Sequence, residues 1–235
     1  MVKKINRNME VKGGWTFDNI ADEFEEHVRR SVPSYDEGHY LIQKMAEFFL
    51  PKNASVLELG CSTGLLVSKF LTHFSERQDI RYEGVDVSKE MILACKKNVQ
   101  DKRVKFSYGD ATTDDLGSHS IVISYYTIQF IHPAHRQEVI NKIYESLDWG
   151  GAFMLFEKVR APDARFQDIT TQIYTDFKRS NEFTDTEILD KSSSLKSVLE
   201  PFSTQGNLDM LKRAGFVDVM TIFKYVNFEG FLAIK

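Results

Sequence analysis

The sequence predicts an α/β fold: a seven-stranded, mostly parallel sheet covered by helices on both faces, with N-terminal helices and a helical cap insertion. Two observations lead there. Between residues 55 and 156, short apolar runs of strand character alternate with segments of helical period. That rhythm implies right-handed strand–helix–strand crossovers and a parallel sheet buried on both sides. A helical stretch from Ala161 to Gln205 then breaks the rhythm, and two further strands close the chain.

The elements follow in order. From Asp18, the residues Ile20, Phe24, His27 and Val28 have helical spacing, with acids early and Arg29-Arg30 late to suit the helix dipole. Pro33 ends this helix, and a second runs through Leu41, Met45, Phe48 and Phe49 to Pro51. Ser55–Leu59 reads as a buried strand, Gly60–Gly64 as a turn and Leu65–Phe74 as a helix. Ile80–Val85 is a second strand ending at Asp86; Ser88 then caps a helix over Lys89–Val99. Val104–Tyr108 and Ile121–Tyr125 are the third and fourth strands. Pro133 opens a helix through Leu147, which Gly150-Gly151 is expected to terminate before a fifth strand, Ala152–Phe156. In the cap, Phe166, Ile169, Ile173, Tyr174 and Phe177 share a helical face, and Ile188–Leu199 predicts another helix. Leu208–Ala214 with Gly215 is a capped helix; Val217–Tyr225 and Phe231–Ile234 are read as an antiparallel pair joined at Glu229-Gly230.

Composition narrows the function classes. A 235-residue chain with 42 % apolar and 27 % charged residues can bury a full core. A net charge of −4 supplies no general basic field, so nucleic-acid contact is not indicated. Cys61 and Cys95 form no CxxC pair, which argues against a zinc site and suits a reducing compartment. The longest apolar stretch, Ile121–Ile131, contains Ser, Thr and Gln and falls short of the roughly 20 residues of a membrane span. The opening residues have no apolar core of a secretory signal, and a cytoplasmic location is expected.

In open parallel sheets, ligands bind beyond the carboxyl ends of the strands. Three such ends carry residues suited to a nucleoside. After the first strand, Glu58-Leu59-Gly60-Cys61-Ser62-Thr63-Gly64 lets the backbone approach a ligand closely. After the second, the Asp86 carboxylate can accept both hydroxyls of a ribose; after the third, Asp110 can accept from an adenine amino group while the Ala111 N–H donates to the ring. These features stand about 24–26 residues apart. Rival readings of the glycine loop fare worse. A dinucleotide site needs two further glycines. A G-x-S-x-G nucleophile elbow on the first strand lacks a preceding unit to supply an oxyanion loop. A plain tight turn leaves Asp86 and Asp110 unexplained.

Glu58, Gly60, Gly64, Asp86 and Asp110 resemble the successive S-adenosylmethionine (SAM) motifs of class I methyltransferases, with Ser62 in place of the usual middle glycine. A closer resemblance rests on Trp15–Asp18, Arg30–Tyr35, Thr127–Phe130, Asp176–Arg179 and Lys212–Phe216, which look like the carboxy-SAM synthase family. That family uses prephenate to convert SAM into carboxy-SAM, the donor for 5-oxyacetate groups on tRNA wobble uridines. The resemblance implies a Rossmann-like domain over residues 1–235, with N-terminal helices in 15–50 and the cap in 161–206. It implies a SAM (or S-adenosylhomocysteine) site of Tyr35, Glu58, Gly60, Cys61, Ser62, Gly64, Asp86, Val87, Met91, Asp110, Ala111 and Tyr125. It also implies a homodimer in which the cap reaches the partner's site.

Two departures bear on the chemistry. The arginine with which the family grips the new carboxylate aligns with Ser192, after Lys191, and the family's asparagine at the end of strand four aligns with Tyr125. Lys191 and Arg179 are the possible substitutes, although a lysine is no bidentate fork. The expectation is therefore a SAM-dependent methyl transfer to a small-molecule acceptor. Carboxy-SAM synthesis is the alternative, and a non-catalytic SAM-binding subunit the second. The candidate catalytic residues are Tyr35, Tyr125 and Gln129, lining the acceptor side with Tyr126; His132 and His135 fit helix capping better.

Overall fold

The computed structural model describes residues 24–235; the start of the first predicted helix and the Trp15–Asp18 motif lie outside them. Its elements are α1 (Phe24–Ser31), α2 (Tyr35–Ala46), β1 (Ser55–Leu59), α3 (Leu65–His73), β2 (Arg81–Asp86), α4 (Lys89–Asn98), β3 (Val104–Tyr108), β4 (His119–Tyr125), α5 (Pro133–Ser146), β5 (Leu147–Lys158), α6 (Ala164–Ser180), α7 (Asp185–Ser194), α8 (Thr204–Ala214), β6 (Asp218–Tyr225) and β7 (Phe228–Ile234). They form one seven-stranded sheet in the order β3-β2-β1-β4-β5-β7-β6. Strands β1 to β5 run parallel, and β7 is antiparallel to both β5 and β6.

Chain order reverses between β1 and β4, so the loops after these strands diverge and leave a crevice at the carboxyl edge. Every residue of β4 is buried, which explains why its centre, Ile121-Val122-Ile123, is an unbroken apolar run rather than an alternating one. On one face, Ile42 of α2, Phe70 of α3 and Cys95 of α4 pack on Val56, Ile121, Met154 and Phe156. On the other, Ile140 and Ile143 of α5 and Leu211 of α8 pack on Leu57, Val122, Phe153 and Phe231.

Three of the differences from the expected boundaries have a visible cause. Helix α5 ends at Ser146 and β5 starts at once, so Gly150 and Gly151 lie within the strand. There the β4–β5 register shifts between His119 and Ile121, and Gly150 takes φ 77° while its N–H donates to the Lys235 carbonyl. Glycine here serves an irregular strand start, not a helix end. Strands β6 and β7 turn at Val226-Asn227, not at Glu229-Gly230, and Val226 itself adopts φ 52°. Gly230 sits inside β7 because the Phe156 ring lies over it: a Cβ would stand 2.6 Å from that ring. The predicted helix over Ile188–Leu199 is α7, shifted toward the N-terminus by a capping box in which Thr184 and Glu187 bond reciprocally.

The cap is tied to the sheet by Arg136. This guanidinium, 1 % exposed, donates to the carbonyls of Ile131 (2.7 Å), Gln129 (2.8 Å) and, after α7, Glu200 (2.6 Å). Its face also lies 4.6 Å from the Phe202 ring. Among the described residues, no helix is long and apolar enough to cross a membrane.

Candidate active site

One cavity of about 1450 Å³ opens at the carboxyl edge of the sheet, more than a single small ligand needs. The β1 loop, Asp86, Asp110 and the end of β4 line one end; Lys158, Tyr174, Lys178, Lys191 and Ser192 line the other.

The loop after β1 is built from backbone. Gly60 and Cys61 both donate to the Val85 carbonyl, at 2.7 and 3.1 Å. Gly60, Ser62 and Gly64 all take positive φ (76°, 51° and 84°). At Gly60 glycine is required twice over, since a Cβ would stand 2.2 Å from the Thr127 hydroxyl on the loop after β4. Ser62 holds its left-handed conformation at a cost of about 1 kcal/mol. Its N–H donates to Asp86 Oδ2 at 3.0 Å and its carbonyl accepts from Cys95 Sγ at 2.8 Å.

Asp86 fastens this loop to the next helix. Its Oδ1 accepts from the Ser88 N–H at 2.8 Å, while Ser88 Oγ caps α4 by accepting from Met91 N–H. Burial pushes the Asp86 carboxyl above the usual range, and the Ser88 and Ser62 N–H groups pull it back. Beside it, Val87 is 59 % exposed, an aliphatic face at the cavity rim. Met91 is buried beneath the loop, with its sulfur 3.7 Å from Ser62 Oγ. Asp110 is exposed; its Oδ1 accepts from the N–H and hydroxyl of Thr112, both at 2.8 Å. Ala111 lines the same rim. Cys61 reaches the site through its backbone alone, because its buried sulfur turns inward to Cys95, 3.6 Å away.

Glu58 lies beneath the loop, 3 % exposed, and accepts from the Tyr82 hydroxyl at 2.8 Å. Burial raises its carboxyl to about 8; the Tyr82 bond opposes this and Asp86 adds to it.

The three candidate catalytic residues are brought to one region, but two have their polar atoms bonded to backbone. The Tyr125 hydroxyl donates to the Tyr35 carbonyl at 2.6 Å, and the ring packs among Tyr35, His39, Tyr126 and Phe156. It fits only because residue 38 is glycine, whose Cβ would stand 2.2 Å from the Tyr125 hydroxyl. Gln129 is buried, with Nε2 donating to the Tyr126 carbonyl (3.2 Å) and Oε1 accepting from Lys158 N–H (2.8 Å). Both are brackets in this geometry. Tyr35 lines the cavity; burial, then Glu58, pushes its phenol well above the usual tyrosine range. His132 is the N-cap of α5, its Nδ1 accepting from Ala134 N–H at 3.2 Å.

The far end is cationic: Lys178 lies in the Asp176–Arg179 motif and Lys191 beside Ser192, whereas Lys158 lies in no motif. Lys158 ends β5, and its Nζ lies 4.1 Å from the Tyr174 ring centroid; Lys178 Nζ lies 4.5 Å from the same centroid. Burial, then Lys178, Lys196 and Arg160, pulls the Lys158 ammonium down to about 7. Burial, then Lys178, does the same to Lys191. Of the two possible substitutes for the missing guanidinium, Lys191 faces the cavity, whereas Arg179 is held at the surface by Asp185 (2.7 Å) and Asp176 (3.0 Å). Applying the strand-end rule to β5 as to β1–β3 would have found Lys158.

These residues fit a nucleoside bearing a charged tail: carboxylates at two strand ends, an aliphatic rim, and a glycine cradle that a Cβ would fill. Among the described residues no group of His, Cys, Asp and Glu is arranged to hold a metal.

Two outcomes test this geometry. The Glu58 carboxyl has a pKa of about 8 in the folded protein against an ordinary value of 4.5, so between those values it retains a proton that the unfolded chain has lost. Its stabilising contribution is therefore full below about 4.5 and is lost as pH rises toward 8. Between pH 5 and 8, wild type is expected to lose on the order of 1–3 kcal/mol relative to Glu58→Gln in urea unfolding. Parallel pH curves would contradict it. Secondly, Gly38→Ala is expected to cost about 1–3 kcal/mol, and less in a Tyr125→Asn background than alone. Additive losses in the double-mutant cycle would mean the two residues do not press on each other.

The comparisons with known proteins agree with this architecture. Residues 56–151 match a family described as a methyltransferase domain. A carboxy-S-adenosyl-L-methionine synthase of Staphylococcus epidermidis is 37 % identical over 223 residues, covering 94 % of this chain and 97 % of that protein. One of Campylobacter lari is 34 % identical over 219 residues, covering 92 % of each. Among solved structures, human N-acetylserotonin methyltransferase in complex with SAM superposes with a TM-score of 0.64 at 17 % identity. A putative O-methyltransferase of Nostoc punctiforme superposes at 0.67 and 17 %. The alignments span 92 % of this chain but only 55 % and 59 % of those two, and show the shared fold alone. The likeness over nearly full length to the bacterial synthases goes further: the chain is a class I SAM-dependent enzyme of the carboxy-S-adenosyl-L-methionine synthase family.

Proposed function

We propose that this chain makes carboxy-SAM: the ring carboxyl of prephenate leaves as CO2 and forms a C–C bond to the SAM methyl carbon, the methyl proton and the prephenate ring hydroxyl depart together as water, and the aromatised remainder is phenylpyruvate. The observation that carries the reading is the cationic far end of the cavity, where Lys191, next to Ser192, faces in from α7. The arginine has gone from the aligned position, but an amine remains on the same wall, and an incoming carboxylate favours its charged form. This reverses the weight that Ser192 carries in the sequence alone.

SAM supplies a one-carbon group activated by its sulfonium. The chain's own residues bind and orient. Asp86 takes the ribose hydroxyls, Asp110 and the Ala111 N–H the adenine, and Val87 and Met91 flank the base. Glu58, Gly60, Cys61, Ser62 and Gly64 shape the loop beside the methionine end. Tyr35 is protonated at neutral pH, the more so because burial and then Glu58 push its phenol above the usual tyrosine range, and can donate a hydrogen bond but not act as base. The aromatic wall of Tyr125, Tyr126 and Phe228 excludes water from the reacting carbon. Methyl transfer to a small-molecule acceptor is the second reading, favoured by Ser192, since a lysine does not reproduce a bidentate guanidinium.

We also propose a cytoplasmic homodimer formed through α6. That 17-residue helix buries no residue, and Phe166, Ile169 and Ile173 stand 52 %, 48 % and 44 % exposed on one stripe.

Purified protein incubated with SAM and prephenate is expected to yield carboxy-SAM by mass spectrometry, and none without prephenate. S-adenosylhomocysteine formed only with a different acceptor would favour the second reading; no adenosyl binding at all would overturn both. In sedimentation, Ile169→Asp is expected to shift a dimer to monomer, and a wild-type monomer would contradict the dimer.

A further inference from the structure

We propose that Lys158 and Lys178, held over the ring of Tyr174, form the binding site for a carboxylate of the second substrate. The proposal deepens the reading above and rests on it for the identity of that substrate, but not for the site itself.

The arrangement is built rather than incidental. Tyr174 is fixed at its far end, its hydroxyl donating to the Ser31 carbonyl of α1 at 2.8 Å. Its ring then carries an ammonium from each of two elements, Lys158 of β5 at 4.1 Å and Lys178 of α6 at 4.5 Å from the centroid. Lys158 is also fixed at its backbone, where the buried Gln129 side chain accepts from its N–H. Phe228 of β7 lies on the other flank, 5.8 Å from Lys158 Nζ. The two flexible side chains are thus ordered in advance, as an anion site requires.

Charge points the same way. The groups acting on Lys158 are Lys178, Lys196 and Arg160, all cationic. Lys191 of α7, at the same end of the cavity, is likewise acted on by Lys178. Gathering ammonium groups that lower one another is unfavourable in the empty protein and becomes favourable when an anion enters. Lys178 stands in the last turn of α6, where a solvated lysine would serve the helix dipole. Arg179 does stay at the surface, in ion pairs with Asp176 and Asp185; Lys178 instead turns into the cavity. The site therefore accepts an organic carboxylate set against aromatic rings, at the opposite end of the cavity from Asp86 and Asp110.

The test is a titration of prephenate into the full chain saturated with S-adenosylhomocysteine, alongside turnover with SAM. Lys158→Met and Lys178→Met are each expected to weaken prephenate binding by about tenfold or more, as loss of a charge-assisted hydrogen bond does. Affinity for S-adenosylhomocysteine should stay within about twofold, and Lys158→Arg, which keeps the charge, should lose less prephenate affinity than Lys158→Met. In turnover, KM for prephenate should rise far more than KM for SAM. Wild-type protein that does not bind prephenate, a Lys158→Met variant that binds it unchanged, or a parallel loss of both ligands would overturn the site. Lysine-dependent prephenate binding without carboxy-SAM would uphold the site and remove the reaction assigned above. Carboxy-SAM made equally well by wild type and Lys158→Met would uphold the reaction and remove the site.

Discussion

The Asp86 carboxylate joins three parts of the chain, and it does so alongside the bonds from Gly60 and Cys61 to the Val85 carbonyl. One oxygen accepts from Ser62 in the loop after β1, the other from Ser88 at the cap of α4, and the residue itself ends β2. The loop needs that restraint, because it carries positive φ at Gly60, Ser62 and Gly64 in close succession. Chains in such conformations relax unless the surroundings over-determine them. Here the anchoring carboxylate is mostly buried and its two N–H donors offset the cost of burial. The same group that shapes the loop also lines the cavity, so the fold of the loop and the shape of the cavity wall depend on one residue.

Beneath it lies a second electrostatic constraint. Glu58 is buried within reach of Asp86, and two ionised carboxylates there would repel in a poorly solvated site. Burial, with Asp86 adding to it, favours the protonated Glu58 against the bond that the Tyr82 hydroxyl donates to it. At the opposite end the conflict has the other sign, with lysines gathered on aromatic rings. A cavity with acids at one end and ammonium groups at the other suits a nucleoside with hydroxyls to donate and a second ligand carrying negative charge.

Much of this is legible in the sequence where the physics is local. The change from helical to strand period at Ser55, the cap at Ser88 and the strand-end acids Asp86 and Asp110 depend on near neighbours, and the seven strands follow from them. Gly230 misleads because its reason is the Phe156 ring on another strand; nothing within β7 marks it as a close approach rather than a turn. Tyr125 reads as facing the ligand because the residue that lodges its hydroxyl, Gly38, is distant in sequence. Lys158 escapes a motif search because it ends β5, a strand that carries no motif, and its companion Lys178 belongs to the cap. Gln129 belongs to a motif, yet its bonds to Tyr126 and Lys158 brace the loop.

The central claim is that acids at one end of the cavity hold the adenosyl group and lysines at the other hold an anion. A crystal structure of the full chain with S-adenosylhomocysteine and prephenate tests it most directly. The expected electron density has the ribose on Asp86, the adenine beside Asp110, and a carboxylate between Lys158 and Lys178. Adenosyl density away from Asp86, or an anion seated elsewhere in the cavity, would contradict it.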